Sequence, residues 1–294
     1  MAVLNEPAIS QAYFMPQPHR FDDAIEVDVG DAILRCHHHI ANSDGRTLIH
    51  FHGNGEAVAQ YANGDYPEMI SPQMNDINVL MVEYRGYGES TGEVEMVSML
   101  SDGQRVMEQL QIDPAKTIVY GRSIGSLYAL ELVKRLPNIA GLVIESGIAD
   151  IKERFLARTD IADSISDWKE VDCEIESHFD HRAKIESYKG KVVLMHAYSD
   201  ALVESSHADR LFKWASNANA IKYSLYFYGD HNSIFQINHA SMLNHLEHLE
   251  SELFSSSDAG KLTLASVPEG NYLCLLYTSP SPRDQRGSRM PSSA

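Results

Sequence analysis

Basic residues are scarce in this chain: 24 lysines and arginines stand against 41 aspartates and glutamates, a formal charge of −17 over 294 residues. Such a surface repels phosphate backbones and argues against nucleic acid as a partner. Cysteine is scarcer still. The three present (Cys36, Cys173, Cys274) have no metal-like spacing and suit a reducing compartment, so a cytoplasmic location is expected. No apolar run approaches the roughly 20 residues of a membrane span. The opening MAVLNEPAISQAYFMPQPHR lacks the basic cluster and apolar core of a secretion signal and reads as a polar lead-in arm over residues 1–20. His37, His38 and His39 are adjacent, but neighbouring strand residues point to opposite faces, so no metal is expected there.

The last stretch, CLLYTSPSPRDQRGSRMPSSA, departs abruptly from what precedes it and resembles the conceptual translation of a transposase sequencing adapter, an index and a primer site. Residues 274–294 are therefore set aside as non-native, and 256–273 read as a C-terminal extension. Their removal takes out Arg283, Arg286 and Arg289 but only one acid, Asp284, leaving the remainder still more acidic.

Residues 21–255 alternate strand and helix signals. Ala24 to Val29 and Ala32 to His38 flank Gly30-Asp31, a hairpin signal. Thr47 to Phe51, Ile77 to Tyr84, Thr117 to Tyr120, Gly141 to Glu145, Lys191 to His196 and Ile221 to Tyr228 are apolar runs. In several of them the apolarity is continuous rather than alternating, as in a parallel strand covered on both faces. Helices are expected over Glu56 to Met69, Glu93 to Leu110, Ser205 to Ala218 and Asn232 to Leu253. The fold class is α/β, a mostly parallel sheet with helices on both faces. The stretch from about 150 to 190 has no strand signal and many acids, and is expected to form a short helical cap over the C-terminal edge of the sheet. Its acids Glu170, Asp172, Glu174 and Glu176 read as a solvated face.

Four signals for chemistry sit at strand ends. Gly121-Arg122-Ser123-Ile124-Gly125 lies between the strand TIVY and an apolar helix, the context in which a serine at a sharp turn is exposed as a nucleophile. His52-Gly53-Asn54-Gly55 follows the strand TLIHF. Its Asn54 amide and that of Ile124 are the candidate donors to an oxyanion. Asp200 falls just past the strand KVVLM, placed either to fix a histidine tautomer or to help cap the helix near Ser205. His231, in Gly229-Asp230-His231-Asn232, follows YSLYFY and opens the last helix, where a base can swing over the serine turn. Glu145 is a reserve acid. The loop Gly86 to Gly92 departs from the spacing of a dinucleotide-binding loop, and Arg122 reads as an ion-pair or packing residue.

From about Gly45 to Leu253 the chain resembles the α/β-hydrolase superfamily, near its serine-aminopeptidase-like and depalmitoylase-like branches. HFHGNG, VEYRGYGES, VYGRSIGS, HAYSDALV and YGDHN carry the likeness. The chain order Ser123, Asp200, His231 is that of the superfamily. The resemblance implies an α/β-hydrolase fold and cofactor-free esterase, thioesterase, lipase or peptidase chemistry on a small acyl substrate. Ala197 and Glu204 stand where glycine and proline are frequent, and Glu83 where aspartate is. The leading expectation is hydrolysis of short to medium acyl esters or thioesters. A peptidase or amidase on the same residues, and a non-catalytic binding protein of the same fold, stay open, as does the oligomeric state.

Overall fold

The computed structural model describes residues 2–42, 44–63, 77–254 and 272–278. Its sheet has nine strands in the order β1-β2-β4-β3-β5-β6-β7-β8-β9. The hairpin β1 (Ile25–Asp28) and β2 (Ile33–His39) is antiparallel, with Val27 opposite Leu34, and β2 joins β4 antiparallel. β3 (Thr47–Phe51), β4 (Asn78–Val82), β5 (Thr117–Arg122), β6 (Gly141–Glu145), β7 (Lys191–Ala197) and β8 (Ala220–Tyr226) run parallel to one another. This is the α/β-hydrolase fold.

The central strands are buried on both faces because each deals its apolar side chains alternately to two cores. Leu48, Val79, Met81, Ile118, Val143, Val193 and Met195 face one side. There they pack on α2 (Val58–Ala62) and α10 (Ile234–Phe254), through Val58, Met242, Leu246 and Leu249. Ile49, Phe51, Leu80, Val119, Leu142 and Leu194 face the other side. Against them lie α3 (Asp102–Gln109), α4 (Gly125–Arg135) and α9 (Ser206–Trp214). The helix expected from Glu56 to Met69 is seen as Val58–Ala62; its residues 64–69 lie outside the described part.

Between β6 and β7 the chain forms four short helices, α5 (Ile151–Leu156), α6 (Thr159–Ser164), α7 (Trp168–His178) and α8 (His181–Ser187). Aspartates start three of them: the side chains of Asp150, Asp167 and Asp180 accept from the free amides of the first turn. Two acids of this insertion depart from a purely solvated face. Glu174 accepts the amides of Val3 and Leu4, at 2.7 and 2.8 Å, and Asp172 pairs with Lys152 at 2.5 Å.

Residues 2–14 are not a polar arm. Leu4, Ile9, Tyr13 and Phe14 are buried in the core beside the insertion, and α1 (Ser10–Tyr13) lies among them. Each such side chain contributes about 1.5–3 kcal/mol on burial. Sequence periodicity does not flag them because the segment has too little regular structure to impose a period.

Part of the tail set aside as non-native lies against the sheet. β9 (Tyr272–Thr278) pairs antiparallel with β8 and includes residues 274–278 of that tail. The outer edge of β8 offers a row of backbone donors and acceptors, and an apolar, aromatic run such as YLCLLYT is suited to pair there.

Candidate active site

The chain runs from β3 outward to β4, then returns to lay β5 on the opposite side of β3. In a sheet of this kind such a reversal opens a crevice at the carboxyl ends of the two strands, because the following connections leave in opposite directions. Phe51 and Gly121 are paired across it. The turn 52–55 and Ser123 therefore emerge side by side.

Ser123 has a φ of 52°, in the left-handed region that a β-carbon disfavours. The packing around it enforces that strain. A β-carbon at Gly121 would lie 2.7 Å from the Ala129 side chain, and one at Gly125 would overlap the carbonyl of Phe51. Helix α4 thus starts pressed against β3 and β5, and the serine takes the bend. Its amide donates to the Glu145 carbonyl at 2.9 Å. Its carbonyl accepts the Ser126 hydroxyl at 2.6 Å, which in turn receives the Ile148 amide at 2.9 Å.

The loops after β7 and β8 bring two further groups to this point. Asp230 accepts the amides of Asn232 and Ser233, a local turn that projects His231 ahead of α10. His231 Nδ1 lies 2.7 Å from Asp200 Oδ2, and its Nε2 lies 2.8 Å from Ser123 Oγ. An ionised carboxylate only accepts, so Nδ1 carries the proton and Nε2 is left to accept from the serine hydroxyl. Asp200 Oδ1 takes the amides of Leu202 and Val203 at 3.0 and 2.8 Å, so the same carboxylate braces its own loop. Burial opposes its ionisation, but the hydrogen bonds from His196, His231 and the Val203 amide outweigh that and hold it well below the usual carboxylate range.

Two neighbours of this line, His196 and Glu56, were not singled out by sequence reasoning, and a third, Arg122, was. His196, near the end of β7 and four residues before Asp200, donates from Nε2 to the Val203 carbonyl at 2.7 Å and sits 3.4 Å from Asp200 Oδ2. Glu56 accepts the Gly53 amide at 2.8 Å and the Tyr61 hydroxyl at 2.6 Å, and pairs with Arg122. Arg122, already expected to form ion pairs, also donates to Glu145 at 3.2 Å and to the carbonyl of His231 at 2.9 Å. One buried guanidinium thus connects the turn 52–55, the serine bend and the histidine loop. Without it, two buried carboxylates would stand uncompensated. The remaining oxygen of Glu145 takes the Tyr120 hydroxyl at 2.5 Å, and burial pushes its carboxyl upward despite Arg122. Glu145 is thereby committed to this network, while the histidine faces Asp200. A strand-end acid or base four residues from a site residue, as His196 is from Asp200, is the sequence signal that would have found such groups.

Turn 52–55 is held equally closely. His52 places Nε2 2.7 Å from Glu83 and Nδ1 2.8 Å from the Gly53 carbonyl. Burial opposes its charge, yet these acceptors raise its pKa overall. Of the amides near the serine, that of Gly53 is spent on Glu56 and that of Ser123 on Glu145. The amides of Asn54 and Ile124 have no acceptor among the described residues. A separate cleft of about 670 Å³, lined by Glu153, Leu202, His207, Arg210 and Lys213 among others, does not include Ser123 or His231.

No family model matches the chain. It is 28% identical over 151 residues to protein bem46 of Schizosaccharomyces pombe, a stretch covering 47% of this chain and 50% of that protein. It is 24% identical over 171 residues to alpha/beta hydrolase domain-containing protein 17B of Homo sapiens, covering 57% and 54%. The matched stretches thus span about half the length of these curated relatives. Among solved structures, esterase Pf2001 of Pyrococcus furiosus superposes with a TM-score of 0.65 at 15% identity, over 81% of this chain and 98% of that one. A putative aryl esterase from Burkholderia cenocepacia gives 0.59 at 15% identity, over 79% and 100%. Among the described residues no helix is long and apolar enough to cross a membrane.

Proposed function

Starting from a chain with the α/β-hydrolase fold, we propose that it is a serine hydrolase that cleaves short to medium acyl esters or thioesters through an acyl-enzyme. The observation that carries this reading is the unbroken line Ser123 Oγ, His231 Nε2, His231 Nδ1, Asp200 Oδ2, with both links under 3 Å. In the reaction Ser123 Oγ attacks the acyl carbon while His231 takes its proton. Asp200 holds the tautomer and stabilises the imidazolium. The negative oxygen of the tetrahedral intermediate is met by the amides of Asn54 and Ile124. His231 then gives its proton to the departing alcohol or thiol, leaving the acyl group on Ser123. A water deprotonated by His231 repeats the sequence and releases the acid.

The loops that carry the acid and the base also expose apolar side chains. Tyr198 and Leu202 on the acid loop, and Phe227 and Tyr228 on the base loop, are exposed, and the Tyr198 and Phe227 rings lie 6.2 Å apart. Exposed apolar surface on these two loops is suited to meet an uncharged acyl group rather than a charged peptide. A fluorophosphonate probe should label wild type at Ser123. Ser123→Ala should abolish labelling and lower ester turnover by about a million-fold, with little change in stability. Robust ester turnover by pure Ser123→Ala protein would refute the reading. A matched series of acyl esters and aminoacyl anilides separates esterase from peptidase, and faster anilide cleavage would favour the latter.

A further inference from the structure

The segment from Val3 to His19 is a strap tied down along its length, and two of its ties are made by asparagine side chains. Near its start, Asn5 Nδ2 donates to Ser98 Oγ at 2.8 Å and Asn5 Oδ1 accepts the Val97 amide at 2.8 Å. Farther along it crosses the turn 52–55, where its main chain meets the side chain of Asn54. Asn54 Nδ2 donates to the Tyr13 carbonyl at 2.7 Å, and Asn54 Oδ1 accepts the Met15 amide at 2.8 Å. The Tyr87 hydroxyl also donates to Asn54 Oδ1, at 2.8 Å. The amide side chain is thus engaged on both its oxygen and its nitrogen, so Asn54 offers a substrate only its main chain. Gly55 has a φ of 77°, and a β-carbon placed on it would be in van der Waals contact with the Met15 side chain, at 3.9 Å.

A turn flanked by Gly53 and Gly55 has many backbone states open to it. An oxyanion donor stabilises developing charge only if it is already aimed when the charge appears. Glu56 fixes one side of the turn by holding the Gly53 amide. We propose that the strap fixes the other: Tyr13 and Met15, acting through the Asn54 side chain with Tyr87, form a positioning element that aims the Asn54 amide at the oxyanion. This deepens the serine-hydrolase reading and rests on it.

The two asparagine anchors separate positioning from stability, because Asn5 and Asn54 each pin the same strap. Asn54→Ala and Asn5→Ala should both lower the melting temperature. Only Asn54→Ala should lower kcat, by about ten- to a hundred-fold, somewhat short of the loss of a whole oxyanion donor. Its KM for a short acyl ester should stay within about two-fold, and its affinity for an alkyl boronic acid, which mimics the tetrahedral intermediate, should fall in parallel with kcat/KM. Tyr87→Phe removes one hydroxyl and keeps the ring packing. It should lose about three- to ten-fold in kcat, and it carries the test if Asn54→Ala does not fold. Unchanged kcat in both Asn54→Ala and Tyr87→Phe, or an equal loss in Asn5→Ala, would overturn the proposal while wild-type ester turnover kept the hydrolase reading intact. Wild type that neither turns over esters nor labels with a fluorophosphonate would overturn both.

Discussion

Replacing His50 by phenylalanine should make the protein more resistant to acid. His50 lies on β3 between the rings of Tyr61 and Tyr120, at 5.1 and 5.2 Å, and is 1% exposed. Neither ring nitrogen has a partner among the described residues. Burial drives its pKa down from 6.5 to about 3, against a smaller opposing pull from Glu56. The folded protein therefore excludes a proton that the unfolded chain binds. Above pH 7 this has no effect. As pH falls through 6.5 it destabilises the fold, and the loss grows until about pH 3, where both states are protonated. Between pH 8 and 5.5 it amounts to about 1.4 kcal/mol for this one residue. Phenylalanine carries a fixed packing penalty of its own, so the quantity to compare is the change with pH rather than the absolute stability. Urea titrations at pH 8 and 5.5 should show His50→Phe losing about 1.4 kcal/mol less than wild type over that interval, a difference of about 2–3 °C in melting temperature. His181 and His245, also displaced to about 3 by burial, act in the same direction and are common to both proteins. Identical pH dependence in the two proteins would show that His50 titrates freely in the fold and would refute the reasoning.

Two further outcomes concern the acid and the tail. Asp200→Asn should reduce kcat by about ten-thousand-fold through the wrong histidine tautomer, whereas Glu145→Gln, which loosens Arg122 and Tyr120, should lower stability first and kcat far less. The reverse ranking in paired steady-state assays would move the acid to β6. Ending the chain at Leu273 deletes residues that pair with Ala220–Ser224, the end of β8 away from His231. Turnover should be unchanged and the melting temperature close to that of the longer chain, and a loss of several degrees would show that the tail contributes to the folded core.

Much of this protein was set by local sequence. Thr47–Phe51 and Gly141–Glu145 form strands with the bounds their composition predicts, because a run buried on both faces is mostly apolar and stops where turn residues begin. That Ser123, Asp200 and His231 meet was legible for the same reason: each follows such a run, and parallel strands deliver their ends to one edge. Partners were not legible, since hydrogen bonds between loops far apart in the chain leave no periodic trace. The closure of Asp200 by His196, and the single guanidinium of Arg122 shared by Glu56, Glu145 and the His231 carbonyl, depend on which strands lie side by side. Tertiary structure alone decided the fate of the first twenty residues. Leu4, Ile9 and Phe14 are spaced by no helical or strand period, so their burial follows only from a groove that the insertion and the core form together, and with it the strap's grip on Asn54.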